Sequence, residues 1–187
     1  AGSINGMLSL LTNEPFDKMV KNYWELIKHG SLSLIELKNK YNKVPGLTVI
    51  LIGDLTPSQI YVRNKEKSAK EVGLKSEVVK YPDSVEEKVI LDKIKELNKE
   101  DSVSGILVQL PLPNHIDKQK IIEAIDPSKD VDGFHPINLG NLFLGNNNGM
   151  IPCTPLGCIY MLKKELGSLN GLNATIVGRS NIVGKPM

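Results

Sequence analysis

Cysteine, aromatic residues and long apolar runs are all scarce in this chain, and each scarcity closes off a class of protein. Two cysteines, Cys153 and Cys158, are too few for a disulfide framework. Their C-x4-C spacing, with no nearby His or third Cys, is not a metal-site pattern, so no metal is expected. Both thiols are expected to be buried as small apolar groups, in a reducing, cytoplasmic setting. No apolar run approaches the ~18 residues of a membrane span, which argues against a membrane partner. Neither charge sign is in excess: a net charge of +2 gives no electrostatic case for nucleic acid. Lysine- and asparagine-rich stretches such as residues 37–43 read as solvated faces. The start, Ala1-Gly-Ser-Ile-Asn-Gly-Met7, lacks a basic segment followed by an apolar one, so it reads as a vector-derived extension ahead of Met7 and not as a signal peptide. His29, His115 and His135 stand apart from any ligand partner at metal spacing, and neither ligation nor catalysis is assigned to them.

What is there is an alternation of short β-rich runs and amphipathic helical segments after residue 45, the pattern of βαβ units and a parallel sheet. The expected fold class is α/β: a three-layer parallel-sheet domain over 7–153, a bridging helix over 154–171, and the first strand and turn of a Rossmann-type dinucleotide unit over 172–187. At 187 residues the chain has room for one complete domain and part of another. Leu47-Thr-Val-Ile-Leu-Ile52 is a near-continuous apolar run, as befits a strand covered on both faces. A helix over 56–72 follows, with Thr56 as N-cap, Pro57 in the first turn, Gln59 completing a capping box and Gly73 just past the end. Residues 77–81 read as a second strand, and Ser84-x-x-Glu87 opens a helix whose core stripe is Val85, Val89, Ile90, Ile94 and Leu97. Residues 105–109 form a third strand. Ahead of the sheet, residues 16–41 are helical, with Phe16, Val20, Tyr23, Trp24 and Ile27 as a core stripe. A long Gly/Asn-rich stretch over 130–149 is the most loop-like part of the chain, and long loops tend to carry function. Thr154-Pro155 starts the bridging helix, which runs to about Leu166 before Gly167. Only nine residues follow Gly178, so the acidic ribose-binding residue expected about 20 residues past such glycines would fall beyond Met187.

In open parallel sheets ligands sit outside the carboxyl ends of the strands, which directs attention to the turns after Ile52, Tyr81, Val108 and Val177. Tyr61 and Lys65 are one helical turn apart behind the first strand and share a helix face, so phenol and ammonium can point into one cleft. On most helices such a pair is a solvated lysine beside a half-buried ring, and the spacing alone is a weak motif. Gln109 ends the third strand, where it either caps the strand or faces a ligand. A lysine beside a ring and a neutral amide, partly removed from water, becomes a usable proton donor or acceptor near neutrality. Asp130 and Asp132 precede Gly133, and turn formation is the ordinary task of Asp before Gly. The alternative for Asp132 is a carboxylate offered to a cationic or NH-rich ring. Gly178 and Gly184 do not make a G-x-G-x-x-G, so their turn is either a simple strand-to-helix corner or a phosphate loop.

Taken in order, the segments Pro45-Gly-Leu-Thr-Val-Ile-Leu-Ile-Gly-Asp54, Ser58-x-x-Tyr61-Val-x-x-Lys65-x-Lys67, Gly105-Ile-Leu-Val-Gln-Leu-Pro-Leu-Pro113, Lys129-Asp-Val-Asp-Gly-Phe-His-Pro-x-Asn138-x-Gly140, Pro152-Cys-Thr-Pro155 and Gly178-Arg-Ser-x-Ile-Val-Gly-x-Pro-Met187 resemble the bifunctional methylenetetrahydrofolate dehydrogenase/methenyltetrahydrofolate cyclohydrolase family. The resemblance covers residues 40–187 and is weaker over the first forty. It implies a tetrahydrofolate-binding catalytic domain and an NADP-binding domain, with NAD as the alternative dinucleotide, and a homodimer. The implied chemistry is oxidation of 5,10-methylenetetrahydrofolate to 5,10-methenyltetrahydrofolate and hydrolysis of that cation to 10-formyltetrahydrofolate. On this chain it makes Lys65 the general acid/base, Tyr61 a residue that positions or stacks on the folate, Gln109 the hydrogen-bonding partner that tunes Lys65, and Asp132 the binder of the pterin. Gly178, Arg179 and Ser180 meet the dinucleotide. A folate-binding domain without turnover is the alternative reading.

Overall fold

The run Leu47–Ile52 is apolar on both sides because the strand it makes has a helix over each face. In the computed structural model, which describes residues 44–187 apart from 72, 147 and 148, β1 (Gly46–Ile52) is the central strand of a three-stranded parallel sheet in the order β2-β1-β3. Strand β2 (Lys75–Tyr81) pairs along one edge, in the register Val49 to Val78, and β3 (Gly105–Val108) along the other, Val49 to Leu107. Alternate residues then part company. Val49, Leu51 and Leu107 enter a core with Val62, Ala69 and Leu74 on the side of helix α1 (Thr56–Glu71). Ile50, Ile52, Ile106 and Val108 enter a second core with Ile90, Ile94 and Leu97 of α2 (Glu87–Lys99) and Ile121 of α3 (Lys118–Ala124). The result is the expected three-layer α/β arrangement.

A further backbone segment lies beside β3. Ile106 N–H donates to the Lys129 carbonyl at 2.8 Å, and Ile106 makes an isolated parallel bridge with Asp130. The chain thus runs past the carboxyl end of β3 at residues 130–132 before entering α4 (Pro136–Phe143) and, later, α5 (Cys153–Leu166).

Helix ends separate what pattern predicts from what forms. Gly73, at φ 84°, closes α1 as expected: its N–H donates to the Lys70 carbonyl and that of Leu74 to Ala69, a Schellman pair sealed by burial of Leu74 and Ala69. The expected Thr56/Gln59 capping box does not form. The Gln59 N–H donates to the Leu55 carbonyl, so the helix starts one residue early, and the Gln59 side chain donates to Asp54 at 3.3 Å. Ser84 does not cap α2, which begins at Glu87 behind Glu86; the Glu87 carboxylate accepts instead from the Asp117 N–H and from Lys120, tying the starts of α2 and α3 together. Val89 faces solvent, one residue off the stripe of Ile90, Ile94 and Leu97, while Val85 stays against the core. Thr154 likewise gives way to Pro152, whose carbonyl accepts from Leu156.

The cysteines are not both buried. Cys153 is exposed, with its thiol donating to the Val131 carbonyl at 3.8 Å, and Cys158 is half-buried. Helix α5 is pinned mainly through the fully buried Pro152 and Pro155, so the rest of its surface stays near water. Beyond Gly167 the fold class holds, but the segment 173–177 has no strand beside it among the described residues and runs as exposed, unladdered chain; a turn over 181–186 follows. A single extended segment has no ladder partner to satisfy its backbone and is not a strand by itself. The helical stripe predicted over 16–41, the solvated face over 37–43 and His29 lie outside the described residues. Among those described, no helix is long and apolar enough to cross a membrane.

Candidate functional site

Parallel pairing brings the carboxyl end of β3 close to the first turns of α1, and the side chains there meet across that gap. The Lys65 ammonium donates to Gln109 Oε1 at 3.3 Å, over a sequence separation of 44 residues. Gln109 is held in turn: its N–H donates to the Ile50 carbonyl at 2.9 Å, and its side-chain amide donates to the Leu110 carbonyl at 2.8 Å. With its amide nitrogen turned to Leu110, to which it donates one hydrogen, Gln109 presents its oxygen to Lys65. The Leu110–Pro111 peptide is cis. Lys65 is half-buried, and Tyr61, one turn earlier on the same face, is 37% exposed. The expected meeting of Lys65 with Gln109 is thus present, with Tyr61 beside solvent at its approach.

The two aspartates of the 130–133 loop turn out to have different tasks. Asp130 is buried and structural. Its carboxylate accepts from the Gly133 N–H at 3.1 Å, the His135 N–H at 2.8 Å and the Asn138 side-chain amide at 2.9 Å. Asp132 makes no hydrogen bond to a described residue, yet it senses the charge of Lys65. Burial pushes its carboxyl above the ordinary carboxylate range; the Lys65 cation opposes the rise and Asp130 adds to it. The burial has a visible source: both aspartates line a small cavity whose other walls include Ile106, Val108, Ile121 and Ile125. Between Asp130 and Asp132, Val131 is buried in the α1-side core, so the strand-like alternation continues through the loop.

Gly133 explains why this loop carries a glycine. Its φ is +69°, and a Cβ there would lie 2.8 Å from the backbone of Met150 and Ile151. His135 is buried and caps α4, its Nδ1 accepting from the Ile137 N–H at 3.1 Å. His115 meets the Val85 carbonyl at 2.9 Å. Both have architectural partners. Sequence reasoning missed the part played by Asn138, which bonds to residues 8, 11 and 12 positions away; the available sign was its place inside the Gly/Asn-rich loop, and no periodicity marks it.

At the other candidate site, Gly178 adopts a φ of 141°, and Gly184 packs so closely on the Gly178 carbonyl that no side chain would fit. Ser180 Oγ accepts from the N–H groups of Val183 at 3.2 Å and Gly184 at 3.3 Å, capping the turn and leaving its own hydrogen to donate. Arg179 is exposed.

Comparison with known proteins gives consistent matches. The family model for the tetrahydrofolate dehydrogenase/cyclohydrolase catalytic domain matches residues 19–132, and that for the NAD(P)-binding domain of the same family matches residues 152–187. The bifunctional protein FolD of Pelagibacter ubique is 67% identical over 163 residues, which are 87% of this chain and 58% of that protein. Among solved structures, the bifunctional FolD methylenetetrahydrofolate dehydrogenase/cyclohydrolase of Campylobacter jejuni superposes with a TM-score of 0.84 at 45% identity, over 95% of this chain and 60% of that one. The Trypanosoma brucei methylenetetrahydrofolate dehydrogenase-cyclohydrolase, determined with NADP and an inhibitor, gives 0.79 at 30% identity, over 97% of this chain and 57% of that one. The chain therefore spans rather less than two thirds of the length of the proteins it matches.

Proposed function

The chain belongs to the tetrahydrofolate dehydrogenase/cyclohydrolase family, and from that premise we propose that it carries the folate site of an enzyme that oxidises 5,10-methylenetetrahydrofolate with NADP and hydrolyses 5,10-methenyltetrahydrofolate to 10-formyltetrahydrofolate. The observation that carries the reading is the Lys65–Gln109 hydrogen bond at the carboxyl end of β3, with Asp132 near enough to feel the lysine's charge.

The methenyl bridge is a delocalised cation. Water adds to its carbon, the bond from that carbon to N5 breaks, and the formyl group stays on N10; of the two protons the water gives up, the first is relayed to N5 and the second, from the hydroxyl that becomes the formyl oxygen, leaves to solvent with the cation's positive charge. Lys65 is the group for that relay, its amine accepting the first proton from water and its ammonium returning it to N5. Gln109, fixed through its backbone N–H and its side-chain nitrogen, holds the lysine on station. Asp132, with no other hydrogen bond to a described residue, offers its carboxyl to the NH-rich edge of the pterin, and Tyr61 supplies a ring face at the open side. The residues of the 178–184 turn suit a dinucleotide: the exposed Arg179 guanidinium matches phosphate, and the Ser180 hydroxyl retains a donor. A dinucleotide held through that turn would supply its nicotinamide as the hydride acceptor. A homodimer in the cytoplasm belongs to the same reading and rests on the family likeness.

A second reading, folate binding without turnover, draws on the exposure of residues 172–180. The two are separated by following the decay of methenyltetrahydrofolate absorbance with this chain and its Lys65→Met variant. General acid/base catalysis is worth about 10²–10⁴-fold, so a lysine-dependent decay of that order above the spontaneous rate is expected. Equal decay in the two proteins would remove Lys65 from its role, and tetrahydrofolate binding with no decay in either would favour the second reading.

A further inference from the structure

Asp132 makes no hydrogen bond to a described residue, and its place in the cavity beside β3 follows from the backbone on either side of it. Its neighbours on both sides are fixed. Asp130 is held by three hydrogen bonds, and Gly133 is wedged against the backbone of residues 150–152 in a conformation that favours glycine. Asn138 links these two restraints. One hydrogen of its amide goes to Asp130 Oδ2 at 2.9 Å, the other to the Pro127 carbonyl at 2.9 Å, and its oxygen accepts from the Met150 N–H at 3.3 Å. The side chain is 3% exposed, and its two hydrogens and its oxygen are all engaged. It therefore fastens together the approach to the loop at Pro127, the anchor at Asp130 and the 150–152 segment against which Gly133 packs.

We propose that Asn138, acting through Asp130, is a positioning residue that holds the Asp132 carboxyl in register with Lys65, and so contributes to folate affinity without touching the folate. A residue merely needed for folding would lower stability alone; a residue that aims Asp132 has an effect on binding that exists only while Asp132 has its carboxyl. The inference rests on the reading of Asp132 as the pterin-binding group.

The test is a double-mutant cycle on the whole chain, with tetrahydrofolate titrated calorimetrically into the parent, Asp132→Asn, Asn138→Ala and the pair. Loss of a hydrogen bond to a charged group corresponds to about 10- to 100-fold in Kd, which is the weakening expected for Asp132→Asn. Asn138→Ala should weaken binding about 10-fold in the parent and less than about 2-fold in the Asp132→Asn background. Its lowering of the thermal midpoint should be the same in both backgrounds. If Asn138→Ala weakens binding equally in both, or in neither, the proposal is overturned. An unchanged Kd for Asp132→Asn alone would instead sink the assignment of Asp132 on which the inference stands. Should Asn138→Ala not fold, Asn138→Ser, which keeps a donor, enters the same cycle. Failure of both to fold would overturn the proposal by making Asn138 a requirement of the architecture only.

Discussion

Two opposed influences meet at Asp132: burial of its carboxyl raises its proton affinity, and the Lys65 cation works against the rise. With the folded value above the ordinary 3.8, the native protein holds a proton where the unfolded chain has released it, so stability declines as pH rises from the ordinary carboxylate range through the folded value. Asp132→Asn is therefore expected to unfold at a higher temperature than the parent at pH 7, with the gap closing below about 3.9. Calorimetric scans across that interval check it, and a gap that is constant with pH would mean that ionisation of Asp132 is not the cause. The residue scale is also where the sequence was least readable. Lys65 and Gln109 stand out because one follows a strand by a helical turn and the other ends a strand. Asp130 and Asp132 look alike before Gly133, and the three donors converging on Asp130 separate the anchor from Asp132, which has no such donor among the described residues.

Elements were legible where burial dictates composition and less so at their ends. The apolar run of β1 and the Ile90, Ile94, Leu97 stripe of α2 could have no other use than a covered face. Caps are a competition among several nearby polar groups, and the winner depends on where neighbouring elements lie: Glu87 opens α2 because Asp117 and Lys120 come to it from a segment 30 residues on. The far end of α2 shows the same cross-element dependence. Lys129 donates to the Leu97 and Glu100 carbonyls, both at 2.9 Å, placing a cation at the negative end of the helix just before the Asp130 loop. Lys129→Met is expected to cost about 1 kcal/mol in urea unfolding at low salt, and less in high salt, where the charge is screened. A cost that ignores salt would assign Lys129 to packing by its stem.

Seen as a whole, the molecule keeps two cores sealed around one sheet and leaves apolar groups uncovered along its carboxyl-terminal side. Tyr160, Leu162 and Leu166 of α5, Leu172, and Val177 at 98% exposure, are open to water. Surface of that kind favours association. Sedimentation velocity should show mass rising with concentration, and the rise should diminish in a Leu166→Ser, Val177→Ser double variant; a single unchanging species for the parent would dismiss the expectation. The overall fold class was legible because βαβ alternation has few topological solutions. The unpaired course of residues 173–177 was not, since a strand-like sequence forms a strand only where another strand accepts it. The order β2-β1-β3 has a temporal side as well. The central strand is the first of the three to leave the ribosome, so its stretch of six apolar-rich residues, Leu47–Ile52, emerges with neither edge paired, gains β2 only after α1 has been made, and waits for β3 until α2 has been made too. This apolar segment is thus also the strand kept waiting for its partners, which makes translation speed between residues 52 and 105, and chaperone access during that interval, determinants of how much native chain is recovered.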